Sequence, residues 1–445
     1  MLHHDPTQPF GDSEEPASVE AAAAGTRHLA RLLKELPASI RHALGGAESN
    51  AGQLSDDRLQ GLAELIQNAD DVGATEAVFA VDTSSGVRIL FSHNGSTLRF
   101  RDVLGLAVPW LSLKTDDPNS LGRFGIGLMT LRSLSDTLEV HGDPIHLRLG
   151  SQELTPLDET VHCPGGADGG RNTVFVIPVR DASVTEAEVQ HWLRQWGDSG
   201  LVFLSKVETI TLVDAAGERL ERLHLDRGAP ATLDLSRGSA TCREVTSEDG
   251  RSWSVYARAV ATPKGVTRAI KAQATTTGVA IAFPVHHADR GHLHVGLPIR
   301  PIGLPFRVAA QFDPLANRRD LADTCWNISL IPAISDLWLD ASLHLFTHDP
   351  TRAWASVPLM AVLEADERTT GRLREGLESH LMTAARLAFA EAVTFHVDDQ
   401  LLHLPELACE DPSLTAIPRT QHASLTGREL SRWHLGQPTS AGATS

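Results

Sequence analysis

The chain has 445 residues, 42% of them hydrophobic, and a formal charge of −17 at pH 7. That length allows two or three domains with sizeable cores, and the acidic balance argues against a nucleic-acid partner, whose backbone would need a basic surface. No apolar run reaches membrane-spanning length and no secretory pattern is visible, so no membrane partner and a cytoplasmic location are expected; four scattered cysteines, Cys163, Cys242, Cys325 and Cys409, suit a reducing compartment.

Residues 1–15 are rich in Pro, His and acids and read as a disordered leader. Residues 17–45 predict one or two helices, with Leu29, Leu32, Leu33, Leu36, Ile40 and Leu44 as the apolar set. The next helix carries ELIQNADDVG from Glu64. Glu64 and Asn68 are four apart and share a face, with Asp71 a further turn along it. Leu59, Leu62, Leu65, Ile66 and Ala69 pack the other side. Val72-Gly73 is the predicted stop, Gly73 being free to take the left-handed cap. A divalent cation with a phosphate tail would explain the polar stripe. Magnesium takes oxygen ligands from few side chains plus phosphate oxygens, and the Asn68 amide oxygen suits it. Glu64, one turn earlier, is placed to orient or deprotonate a water. In isolation, the same three residues are equally a solvated helix face.

A hairpin follows, with strands over Ala77 to Asp82 and Val87 to Phe91 around the turn Thr83-Ser84-Ser85-Gly86. It ends in His93-Asn94-Gly95, where Gly95 lets the backbone approach a flat ligand or simply forms an Asn-Gly turn. Leu121-Gly122-Arg123-Phe124-Gly125-Ile126-Gly127-Leu128 then opens an apolar helical run to Leu134. Glycines at a helix start expose backbone N–H groups where the dipole favours negative charge, a cradle for phosphate. The spacing is neither GxGxxG nor GxxxxGK[ST], which excludes the Rossmann and P-loop fingerprints. The polar stretch from Lys114 to Ser120 suits a mobile lid. Lys114 and Arg123 are phosphate contacts or solvated bases.

Ser183 and Glu186 form a capping-box pattern ahead of a helix carrying Val189, Trp192, Leu193 and Trp196. Strands are predicted at Leu201 to Leu204, Val207 to Val213, Trp253 to Val260 and Val279 to Val285, and helices after Ile328. His286, His287, His292 and His294 gather near Asp289, but with no cysteine close by they read as a polar loop and one strand face rather than a zinc site.

ELIQNADD, HNG and GRFGIGL, in this order, resemble the GHKL ATPase superfamily, which includes gyrase-type topoisomerases, MutL, histidine kinases and the large heat-shock chaperones. The pair ELIQNADD and GRFGIGL is most similar to the sacsin-type, heat-shock-chaperone-like ATPase domains. A later run of Leu304-Pro305-Phe306, Asn317-Arg318-Arg319-Asp320 and Trp326-Asn327 resembles the segment that follows the ATPase domain in such proteins. The resemblance implies an α/β chain, with an α+β two-layer sandwich of the Bergerat GHKL type first. A second mixed α/β domain and a helical C-terminal region would follow. The corresponding boundaries are 16–182 for the ATP-binding domain, 183–345, 346–434, and a flexible tail over 435–445.

The resemblance also implies ATP and Mg2+ as ligands. Glu64 becomes the general base and Asn68 the magnesium ligand. His93, Asn94, Gly95 and the strand residue Thr173 surround the adenine. Gly122, Phe124, Gly125, Ile126 and Gly127 form the lid loop over the phosphates; Asp71 on the Glu64 helix face, and Lys114 and Arg123 as phosphate contacts, complete the expected nucleotide-binding set. Arg318 or Arg319 is a trans-domain arginine, or else both pair with Asp313, Asp320 or Asp323 in a surface turn. One departure stands out: the family has an aspartate where this chain has His93. The function implied is a slow Mg-dependent ATPase whose lid closure rearranges domains on a protein partner, with a homodimer as a further expectation. The alternative is a non-hydrolysing nucleotide sensor or scaffold.

Overall fold

The computed structural model describes residues 16, 18–39, 59–84, 86–107, 131, 133–150, 153–166, 173–180, 184–266, 275–287, 289, 291–315, 320–349 and 352–353. It also describes four short strands at 394–397, 400–403, 407–409 and 429–431. The architecture is mixed α/β, with one large sheet and few helices among the described residues.

The early elements are α1 (Val19–Glu35), α2 (Gln60–Asp71), β1 (Glu76–Asp82), β2 (Arg88–His93), α3 (Phe100–Ala107), β3 (Leu138–Gly142), β4 (Ile145–Gly150), β5 (Glu153–Pro156) and β6 (Thr173–Pro178). Then come α4 (Glu186–Trp196), a short 3-10 helix (Asp198–Leu201), β7 (Thr209–Val213), β8 (Arg219–Arg227), β9 (Ala231–Leu235), β10 (Gly238–Ser247), β11 (Ser252–Ala261) and β12 (Thr276–Val285). They are followed by β13 (His292–Val295), β14 (Leu297–Pro301), β15 (Arg307–Ala310), α5 (Cys325–Ser329) and α6 (Ile331–His348).

Fifteen strands form one sheet in the order β14-β13-β15-β12-β11-β10-β8-β7-β1-β2-β6-β3-β4-β5, with β9 against the first half of β10. β1 sits between β2, its antiparallel hairpin partner, and β7, which runs parallel to it. The sheet therefore continues across the expected boundary at 182/183. The apolar run Ala77-Val78-Phe79-Ala80-Val81 is buried on both faces, as a central strand requires. Ala77, Phe79 and Val81 join the core with Leu62, Leu65, Ile66 and Ala69 of α2 and with Trp192 and Leu193 of α4. Burying each such leucine or isoleucine contributes about 1.5–3 kcal/mol. Val78 and Ala80 face the other way and pack under Val161 and Cys163, where burial raises the Cys163 thiol to about 12. A second core gathers Tyr256, Phe283, Phe306 and Trp338 on the later strands and α6.

Two expectations need correction. The capping residue of α4 is Thr185, not Ser183: its hydroxyl accepts from the Glu188 N–H at 3.2 Å. It is the same Thr-x-x-Glu logic two residues later. Leu201 to Leu204 is not a strand. The 3-10 turn over Asp198–Leu201 buries Leu201, Val202 and Leu204 instead, so an apolar run too short to show its period was assigned the wrong conformation. Beyond Ala353 the only described elements are two strand pairs, so the helical character expected for 346–434 rests, among the described residues, on the end of α6 and on residues 352–353. The histidine loop forms no metal-binding group among the described residues. Asp289 there takes both Nε and NH2 of Arg307, at 2.6 and 3.0 Å, and the Trp253 indole N–H at 3.1 Å.

Candidate functional site

The site begins with the end of α2. Gly73 takes a φ of +80°. The Ala74 N–H donates to Ala69 O at 2.9 Å and the Gly73 N–H to Asp70 O at 3.1 Å, the bond pair of a Schellman cap. On this helix Glu64 is only 2% exposed, while Asn68 and Asp71, further along the same face, are half-buried.

The His93-Asn94-Gly95 turn is strapped to that cap. Ser96 donates to Val72 O through both its N–H (2.9 Å) and its hydroxyl (3.0 Å). Asn94 Oδ1 accepts from the Thr75 and Glu76 N–H groups at 2.9 and 3.0 Å, and Nδ2 donates to Thr75 Oγ1 at 2.9 Å. The Asn94 amide is thus used within the turn, not offered to a base. A Cβ on Gly95 would lie 2.7 Å from Val72 Cγ2 and 3.0 Å from Ala74 N. The helix cap, rather than a flat ligand, fills that side and makes glycine necessary. Gly95→Ala is expected to destabilise the chain by about 1–3 kcal/mol through overpacking; a urea midpoint equal to the native one would show that the two backbones have slack.

His93 ends β2 directly opposite Thr173, the first residue of β6. Both are buried, at 6% and 2% exposure. They share the sheet face of Phe91 and Phe175, whose rings lie 6.0 and 6.2 Å from the imidazole. The Gly95 N–H donates to His93 Nδ1 at 3.2 Å. The Thr173 hydroxyl finds no hydrogen-bond partner among the described residues. Beside it, a Cβ on Gly142 would lie 3.2 Å from Thr173 Oγ1 and 3.6 Å from Leu98 Cβ. A side chain at 142 would therefore press against the Thr173 hydroxyl.

Lys114, Gly122, Arg123, Phe124, Gly125, Ile126, Gly127 and Arg318 lie outside the described residues. The flanks of the glycine segment are described. It leaves after Ala107, the end of α3, and returns at Leu131, whose backbone N sits 2.9 Å from where a Gly61 Cβ would be. Leu131 therefore lies against the first turn of α2, one turn before Glu64. Asp320, one expected partner of Arg318, pairs with Arg300 at 2.8 Å.

Sequence reasoning missed Asp70. Its carboxylate accepts from the Ser205 N–H and hydroxyl (both 3.0 Å), the Lys206 N–H (2.7 Å) and the Val207 N–H (2.9 Å). It follows Ile66 by four residues, so it lies on the apolar stripe, and that placement was the available signal. Burial and the neighbouring Arg243 push the Arg227 guanidinium down to about 10, while Asp70 and Glu208 oppose the shift. α2 is thereby tied to the segment that leads into β7.

Fold and site together define a mixed α/β protein. Its capped, carboxylate-bearing helix is fixed to the strand-end turn of a large sheet. Among known proteins, the chain is similar to Protein NO VEIN of Arabidopsis thaliana, at 23% identity over 312 residues, covering 62% of this chain and 11% of that protein. It is also similar to Sacsin of Homo sapiens, at 34% identity over 117 residues, covering 23% of this chain and 3% of that protein. The chain thus spans about a tenth or less of the length of these relatives. No family model matches it.

Proposed function

We propose that this chain is a GHKL-type, sacsin-like nucleotide-binding protein. It holds a Mg·nucleoside triphosphate between the Glu64 face of α2 and the ends of β2 and β6, and hydrolyses it slowly. The carrying observation is that α2, its cap and the His93 turn form one hydrogen-bonded unit beside Thr173. That unit ties the helix bearing Glu64 and Asn68 to the strand-end turn bearing His93. The distant similarity to Sacsin supports the reading.

The Asn68 amide oxygen suits a hard cation, and the Glu64 carboxylate stands one turn away on the same helix. Asn68 would hold magnesium, which when bound neutralises charge on the phosphate oxygens. Glu64, fixed on the helix rather than on a loop, accepts a proton from the attacking water. The glycines at 122, 125 and 127 would offer backbone N–H groups to the phosphates. The resemblance implies ATP as the nucleotide and a protein partner as the object of the closure. Closure requires phosphate contacts stronger in the closed state than in the open one.

Asn68→Ala is expected to abolish magnesium-dependent nucleotide binding. The check is calorimetry with Mg·ATP and Mg·GTP at millimolar concentration, native and variant side by side. Binding that persists in the variant would contradict the assignment of Asn68. A second reading is that nucleotide only sets shape and is not hydrolysed. His93 in place of a carboxylate favours it, and steady-state phosphate release by the native protein separates the two.

A further inference from the structure

We infer that His294 is an acid-release latch between the late strands and the segment tied to α2. As a neutral ring it helps to seat Arg307 on the 3-10 turn, and as a cation it drives Arg307 off. This does not depend on the nucleotide reading above.

Arg307 of β15 is buried, and every nitrogen of its guanidinium is engaged. Nε and Nη2 grip Asp289 at 2.6 and 3.0 Å, while Nη1 donates to Ser199 O at 3.4 Å and to His294 Nε2 at 3.5 Å. A guanidinium only donates, so Nε2 carries a lone pair and the proton of the neutral ring sits on Nδ1. His294 is 0% exposed, and the Phe203 ring stands edge-on to it at 4.8 Å. Ser199 and Phe203 belong to the stretch that runs into Ser205, Lys206 and Val207, whose N–H groups Asp70 holds. The latch therefore lies between β13 and β15 on one side and α2 on the other.

A proton on Nε2 would aim an N–H at the guanidinium and set two cations against each other in a fully buried place. The surrounding charges do not relieve this. Asp289 is occupied by Arg307, the Trp253 indole and the Gly291 N–H. Arg300 of β14 pairs with Asp320, and Asp198 of the 3-10 turn accepts the His224 N–H and stands 3.8 Å from Arg251. Arg227 and Arg243 reach Leu201 O and Leu204 O, and Lys206 is exposed. His287 lies against Trp253, and His292, with its ring 6.5 Å from that of His294, becomes only more positive in acid. Burial, then Arg307 and His292, hold the His294 ring well below the ordinary histidine range, against a smaller opposing effect of the Gly296 backbone. A released ring takes its proton near pH 6.5. The latch is thus fully closed above about pH 6.5, and each pH unit below that favours the protonated, open form about tenfold.

The test is hydrogen exchange of the full native chain at about pH 7.5 and about pH 5.5, corrected for intrinsic exchange and read on peptides spanning 198–207, with β1 as the reference. Protection of 198–207 is expected to fall about tenfold more than that of β1 at the lower pH. His294→Gln places an amide oxygen where Arg307 can donate and cannot be protonated, so its 198–207 protection is expected to be independent of pH. His292→Gln is expected to keep the acid loss. If His294→Gln does not fold, His294→Leu removes the same titration and is expected to behave likewise. Native protection of 198–207 that does not change with pH relative to β1 would overturn the inference. So would an acid loss that persists in the His294 variant.

Discussion

Replacing Glu64 by glutamine is expected to leave nucleotide affinity within about threefold of native while cutting phosphate release by about a hundredfold or more. Glutamine keeps the volume of a side chain that is 2% exposed, so packing is preserved and only the ability to take a proton is lost. Glu64→Ala should give the same kinetic result with some added loss of stability, because it leaves a cavity beneath the first turns of α2. The measurement is steady-state phosphate release beside calorimetric binding for each variant. Undiminished release in Glu64→Gln would remove Glu64 from the chemistry. Binding without any release in the native chain would instead favour the sensor reading.

Asp70→Ala is expected to be the most destabilising single change in the early region, at about 3–5 kcal/mol. It removes the acceptor for four donors on Ser205, Lys206 and Val207. It also removes a negative charge from beside the buried guanidinium groups of Arg227 and Arg243. Ser205 and Lys206 are exposed and can turn to water, but the buried Val207 N–H cannot. Asp70→Asn keeps one acceptor oxygen and should lose less. Urea midpoints at neutral pH decide the matter. A loss for the alanine variant below about 1 kcal/mol would place this network with ordinary surface pairs.

The early helix was legible because its signals are local. The i,i+4 pair Glu64 and Asn68, the apolar stripe and Gly73 each act within one or two turns, and α2 has the predicted end. The hairpin was legible for the same reason, although β2 extends to His93. The roles of Asn94 and Gly95 were not. Asn94 binds Thr75 and Glu76, and Gly95 abuts Val72 and Ala74. Those partners come from the link between α2 and β1, and no local pattern announces them. The pairing of His93 with Thr173 links residues 80 positions apart through sheet register, which composition alone cannot specify. Asn327 is a comparable case. The Trp-Asn pair stood out in the sequence, but its task is to clamp Asp313 and Ala322, through bonds of 2.7 to 2.9 Å.

The parallel seam between β1 and β7 has a consequence for how the molecule can be taken apart. Every residue from Glu76 to Ala80 has a register partner on β7, and the segment just before β7 is held by Asp70. A fragment ending near residue 182 would strip that neighbour away and leave β1 as a raw, apolar margin inviting adhesion to other chains. The portion bearing Glu64 thus shares its sheet with the strands that follow it. Whatever tilts the later strands must also lever the helix that carries the carboxylate.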